Sequence, residues 1–218
     1  MPVVQEYQKR ELVRVLWYEG SEMTHRYFRR RLTRNKLIRL AAGCCTFRSF
    51  RGLDEPPSVI FREWAVEKLD RQFMQTLAEV KTQEEFDAIH EALRADIAEC
   101  WERRGGKALR YGPGLKLINL LLKSVVRWQE FTHEQREKLI PLLHVPLDKF
   151  SLRAIRLFSN DPERVRRPVF IPRNASMGFV ETRKQYRRIQ GVMREIATVA
   201  AEPPISVDLL TWDLVHAY

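Results

Sequence analysis

Apolar residues recur every three to four positions along most of this chain, and the runs are separated by short Gly- and Pro-containing breaks. That period predicts helices. Val4, Tyr7, Leu12, Val15 and Leu16 set a first helix over Val3 to Tyr18, ended by Gly20. A second is expected from Ser21 or Thr24 to Gly43, with Tyr27, Phe28, Leu32, Leu37, Ile38 and Leu40 as its apolar positions. Ser58 is placed to cap a third, running to about Val80 through Ile60, Trp64, Leu69, Phe73 and Leu77. Thr82-Gln83-Glu84-Glu85 reads as a capping box, in which the Thr hydroxyl accepts from the third helical N–H and Glu85 reaches back. The helix it opens carries Phe86, Ile89, Leu93, Ile97 and Trp101 and stops at Gly105-Gly106.

Tyr111 to Lys123 departs from that amphipathic pattern. Gly112-Pro113-Gly114 predicts a turn, and the helix beyond it, from Pro113 to about Trp128, is apolar nearly all round. Such a helix is normally central and buried. Thr132-His133-Glu134-Gln135 is a second capping box ahead of a short helix ending near Pro141, and another helix follows Pro146. A basic helix is expected from Glu181 to Ala201, and a last segment capped by Ser206 runs to Tyr218. Only Val169 to Ile171 hints at a strand, and no internal repeat is present. The expected fold is all-α, a compact multi-helix domain around the buried central helix. The Gly- and Pro-containing connection near Gly52 divides it into a basic helical portion, 1–52, and a core, 53–218, unless the two form one continuous domain.

Charge narrows the function. The chain of 218 residues carries a formal net charge of +10, which points to a polyanionic partner, nucleic acid first. Arg30 and Arg34 on the second helix and Arg187 on the late basic helix are interleaved with aromatic and apolar residues, as a phosphate-following surface requires. A solvated face over a core stripe explains such arginines equally well. No apolar run approaches the roughly 20 residues of a membrane span, and the N-terminus lacks the apolar stretch of a signal peptide. A cytoplasmic protein without a membrane partner is therefore expected. Cys44, Cys45 and Cys100 lack metal-ligand spacing and read as buried thiols, so no metal and no cofactor is expected. The motifs of phosphate-binding loops, serine hydrolases, zinc proteases and dinucleotide enzymes are absent from the sequence.

Three features remain for chemistry. The Gly112-Pro113-Gly114 turn at a helix start would bring a phosphate near backbone N–H groups, with Lys107 and Arg110 beside it; a tight structural turn is the alternative. Lys116, in the first turn of a buried helix, is placed to lose a proton and act as an amine nucleophile, unless it snorkels to water. Asp148 stands where a helix cap belongs and, if ionised, would stabilise an oxocarbenium ion. His144 reads as a structural histidine.

On these residues the chain resembles the helix-hairpin-helix DNA glycosylase superfamily, particularly its 8-oxoguanine branch. Gly112-Pro113-Gly114-Leu115-Lys116 is similar to the hairpin and lysine of that family, and Pro146-Leu147-Asp148 to its second motif. The likeness covers roughly Trp101 to Phe158. Lys116 and Asp148 stand 32 positions apart (116 to 148), with the capped segment Thr132 to Pro141 between them. The resemblance implies Lys116 as the amine attacking the sugar's anomeric carbon and Asp148 as the carboxylate assisting base departure. It implies Gly112 and Gly114 at a DNA phosphate, and a nucleotide turned out of the stack. The expected function is a base-excision glycosylase with AP-lyase activity, binding DNA, with RNA left open. The alternative is a non-catalytic helical nucleic-acid-binding or assembly protein, and a third reading is an adaptor for an acidic partner.

Overall fold

The computed structural model describes residues 22–45, 47, 50–159 and 169–216; the helix expected over Val3 to Tyr18 and the loop residues 160–168 lie outside them. The fold is all-α, and among the described residues no strand forms. Residues 22–29 are helical (α1). Then follow α2 (Arg34–Gly43), α3 (Pro57–Lys68), α4 (Arg71–Ala78), α5 (Gln83–Gly105), α6 (Tyr111–Val125), α7 (His133–Leu139), α8 (Lys149–Ser159), α9 (Arg183–Val199) and α10 (Ile205–His216). No helix among the described residues is long and apolar enough to cross a membrane. The helices fall into two units, Arg30–Leu142 in one and Met1–Arg29 with Leu143–Tyr218 in the other. Neither cut falls at residue 52.

The first unit is built on α6, which packs against α2 and α5. Leu117, Ile118, Leu121 and Val125 of α6 have no exposed surface, and burying each such side chain is worth about 1.5–3 kcal/mol. Two buried polar side chains of this unit pair: His90 Nε2 and Asn119 Oδ1 meet at 2.7 Å between α5 and α6. Between α3 and α5, Asp96 takes the Trp64 indole N–H on one oxygen at 2.5 Å and the Lys68 ammonium on the other at 2.7 Å. That hydrogen bond raises the Lys68 pKa above the ordinary lysine value.

Several helix ends lie where local chemistry puts them. Thr82 and Glu85 form their reciprocal cap, and Gly106 closes α5 in the left-handed region at φ 67°. A β-carbon there would collide with the Asp54 carboxylate. Thr132 and Gln135 cap α7 in the same reciprocal way.

Two expected helices are instead broken. The second stops at residue 29 and resumes at Arg34, because Leu32 leaves the helix for a backbone bridge to Trp128. The Leu32 N–H donates to Arg127 O at 2.8 Å, and the Gln129 N–H donates to Leu32 O at 3.0 Å. The third splits into α3 and α4 at Leu69-Asp70, where the Asp70 carboxylate caps α4 by accepting the Phe73 N–H at 2.6 Å. Proline opens α3 at its first position, displacing Ser58 from the cap.

In the second unit, α8 packs against α9 and α10. Ser206 does not cap α10. It lies inside that helix, with its hydroxyl 2.6 Å from that of Thr24 on α1. Val169 to Ile171 is not a strand.

Candidate nucleic-acid interface

The Gly-Pro-Gly stretch is not a turn. Gly112, Pro113 and Gly114 are buried in the first turn of α6, which starts at Tyr111 after an extended Arg110, and neither glycine has a positive φ. The Gly114 N–H already donates to Arg110 O at 3.0 Å. A β-carbon on Gly114 would sit 3.1 Å from Leu109 Cδ2, so this glycine lets the incoming chain fold closely over the helix. Lys107 is exposed, with its ammonium over Gly52, where a β-carbon would lie 2.8 Å from Nζ.

Lys116 is half-buried on α6, and its positive charge opposes the effect of burial on Cys45, which nonetheless pushes that thiol's pKa up. The lysine that α6 buries fully is Lys123, 1% exposed.

Asp148 belongs to the other unit and caps α8. Its Oδ1 accepts the Phe150 N–H at 2.8 Å and the Ser151 N–H at 3.1 Å, while its own N–H donates to Ser151 Oγ at 2.8 Å. His144 is buried nearby in the sequence, with Nδ1 2.9 Å from the Tyr186 hydroxyl and Nε2 2.8 Å from Arg194 Nη2. A guanidinium only donates, so Nε2 is the acceptor and the ring proton sits on Nδ1, donating to Tyr186. Gln190 completes this support by bonding both the N–H and the carbonyl of Val145, at 3.0 and 2.8 Å. The histidine is structural, as its setting in the sequence suggests.

Among the described residues, several cations gather at the other end of α6, around the Leu32–Trp128 bridge. Arg31 Nη1 donates to Gln129 O at 3.1 Å, and Arg127 Nε donates to Arg30 O at 3.2 Å. Arg34 Nη2 donates to Val66 O. Arg136 is largely buried, and burial first, then the Arg31 charge, pull its pKa below the ordinary arginine value. Among the described residues neither Arg31 nor Arg34 meets a carboxylate. Arg104, by contrast, is neutralised by Glu55 and Glu63 at 2.5 and 2.7 Å. A cleft of about 450 Å³ opens beside the bridge, lined by Arg34, Arg71 and Trp128 among others.

The structure thus brings Arg30 and Arg34 into one region with Arg31, Arg127, Arg136 and Trp128. Arg31 belongs to the same basic run as Arg30 and Arg34, whereas Arg127, Arg136 and Trp128 are gathered by a bridge between distant segments. Arg187 lies in the other unit, on the exposed face of α9 with Lys184 and Arg188, beside an open cleft of about 520 Å³. Among the described residues no three His, Cys, Asp or Glu side chains gather as metal ligands would. No family model, curated protein or solved structure matches this chain.

Proposed function

We propose that this chain is a helical nucleic-acid-binding protein whose phosphate contacts centre on the arginines at the C-terminal end of α6. One observation carries the reading: among the described residues Arg31 and Arg34 have carbonyls, not carboxylates, as partners, and the Arg31 charge acts on the buried Arg136 guanidinium. Guanidinium groups gathered on carbonyls favour an anion between them, and a net charge of +10 attracts a polyanion from a distance. Lys107, Arg110 and Arg187 are secondary phosphate contacts in this reading. The test is binding of labelled DNA and RNA duplexes at graded salt. Affinity should fall linearly on logarithmic axes, each released counterion adding about 0.9 to the slope. Salt-insensitive binding, or none, contradicts the proposal.

A second, finer reading is a base-excision glycosylase with lyase activity. It is supported by the half-buried position of Lys116 in the first turns of α6. The amine displaces the base at the sugar's anomeric carbon, the base leaving with the bonding pair and a proton. The opened sugar then forms a Schiff base on Lys116, and borohydride reduces it to a stable amine. Trapping on duplexes with 8-oxoguanine, uracil or an abasic site, abolished in Lys116→Ala, is the expected result. Binding without trapping on any of them leaves the chain a binding protein.

A further inference from the structure

The cleft beside Trp128 combines two kinds of surface: the partly exposed Trp128 and the guanidinium group of Arg34, with Arg31 next to it on the Gln129 carbonyl, and among the described residues neither arginine meets a carboxylate. Its apolar floor is Leu69 and Met74, and Arg34, Arg71 and Gln129 line it with Trp128. At about 450 Å³, it falls within the roughly 300–1,000 Å³ of small-ligand pockets.

The indole is held in place. Phe131 packs edge-on against it, with centroids 5.2 Å apart and planes at 83°. The backbone on either side of Trp128 is fixed by the two hydrogen bonds to Leu32, at 2.8 and 3.0 Å. Arg31 reaches the Gln129 carbonyl at 3.1 Å, which brings another guanidinium to the rim. Trp128 follows the C-terminal end of α6, and about 14 Å of helix separates Lys116 from Val125 at 1.5 Å per residue. The cleft is therefore distinct from the lysine assigned to glycosylase chemistry.

We infer that this cleft seats one unpaired nucleotide of a single-stranded segment, its base on the Trp128 indole and its flanking phosphates on Arg31 and Arg34. The inference rests on the nucleic-acid reading above and adds which form of nucleic acid this region takes. Every base presents a flat face to an aromatic ring, so stacking is tolerant of sequence and is worth about 1–3 kcal/mol per base. Asp70 and Glu130 also line the cleft. The Asp70 Oδ1 is occupied by its helix cap at 2.6 Å, and because both carboxylates repel every phosphate brought into the cleft, the few phosphates flanking one nucleotide suit it better than two charged backbones. A duplex, with its bases enclosed and two charged backbones, fits this site less well than a single strand.

The test uses the full chain and labelled twelve-residue oligo-dT, oligo-U and a mixed-sequence duplex, compared across wild type, Trp128→Phe and Trp128→Ala, with thermal melts of each. Removing the stacking surface should weaken single-strand binding by about 5- to 150-fold in Trp128→Ala. The effect should be smaller in Trp128→Phe, which keeps a ring, and duplex affinity should stay within about twofold. The two oligonucleotides separate a DNA from an RNA preference. Unchanged single-strand binding in Trp128→Ala overturns the inference, as does equal weakening for single strand and duplex. Should Trp128→Ala melt early, Trp128→Phe decides: equal weakening for all three probes overturns the inference. A wild type that binds duplex alone overturns it and leaves the broader reading standing. A wild type that binds none of the probes ends both.

Discussion

The two ends of α6 look alike in sequence terms, each basic and each next to a break, yet they are held by different means. At the N-terminal end, Gly112 to Gly114 are packed into the helix itself, Gly114 lies close to Leu109, and Lys116 sits half-buried beside Cys45. Its flanking cations, Lys107 and Arg110, are exposed and spread along a loop. At the C-terminal end, a bridge to Leu32 folds several guanidinium groups around Trp128, and Arg127 and Arg136 are mostly buried. Exposed cations are screened by water and salt and are cheap to leave apart. Guanidinium groups forced together are not, which is why the proposed phosphate contacts are assigned to the second end.

The variants that probe this difference span a wide range of effect. Leu121→Ala empties a site with no exposed surface in the middle of α6 and should cost about 2–5 kcal/mol in chemical denaturation. It weakens both ends together; a cost below about 1 kcal/mol would mean that α6 is not the centre of its unit. Arg127→Ala removes the bond to Arg30 O and should cost about 2 kcal/mol. Its damage should be confined to the C-terminal end, read as faster amide exchange at Leu32 and Gln129 and not at Gly114. Uniformly faster exchange would erase the distinction.

The pH dependence probes the N-terminal end. Burial raises the Cys45 pKa above the ordinary value of 9.0. The folded thiol thus keeps its proton to higher pH than the unfolded one. Its contribution to stability is full below about pH 9 and is lost as pH rises through the folded value. The slope of that decline is at most about 1.4 kcal/mol per pH unit. Cys45→Ala should flatten the stability profile above about pH 9, and an identical profile would deny the thiol this burial. Gly114→Ala should have the smallest effect. The gain of about 1 kcal/mol in helix propensity opposes the 3.1 Å approach to Leu109. Stability should change by less than about 1 kcal/mol, with nucleic-acid binding unaltered. Much weaker binding at unchanged stability would restore the glycine to a phosphate site.

Much of the fold is written locally. Thr82 with Glu85, Thr132 with Gln135 and the left-handed Gly106 define helix ends by bonds within a few residues, and the all-apolar run of α6 announces its own burial. What escapes the sequence is decided at a distance. The apolar spacing through Leu32 continues a helix on paper, but its backbone bonds go to Arg127 and Gln129, far along the chain. Asp70 is a legible cap, yet Leu69, Phe73 and Leu77 keep the helical spacing across it and hide the break. Gly112-Pro113-Gly114 misleads in the opposite direction. Proline in a first turn costs no hydrogen bond, and glycine serves close packing as readily as a bend. Asp148 shows that a capping residue is recognisable from its position, whereas its chemistry beyond capping is not. The arginine cluster is half visible in the sequence, through the basic run with Arg30, Arg31 and Arg34; Arg127, Arg136 and Trp128 join it only because the chain folds.

The decisive experiment is the salt dependence of duplex binding for Arg31→Gln/Arg34→Gln beside Lys107→Gln/Arg110→Gln. Each phosphate that a removed cation no longer neutralises should lower the logarithmic slope by about 0.9. The slope should therefore fall by about two for the first pair and by less than about one for the second, with both variants melting cooperatively. A larger fall for the Lys107 and Arg110 pair, or a slope unmoved by replacing Arg31 and Arg34, would put the phosphate contacts at the wrong end of α6.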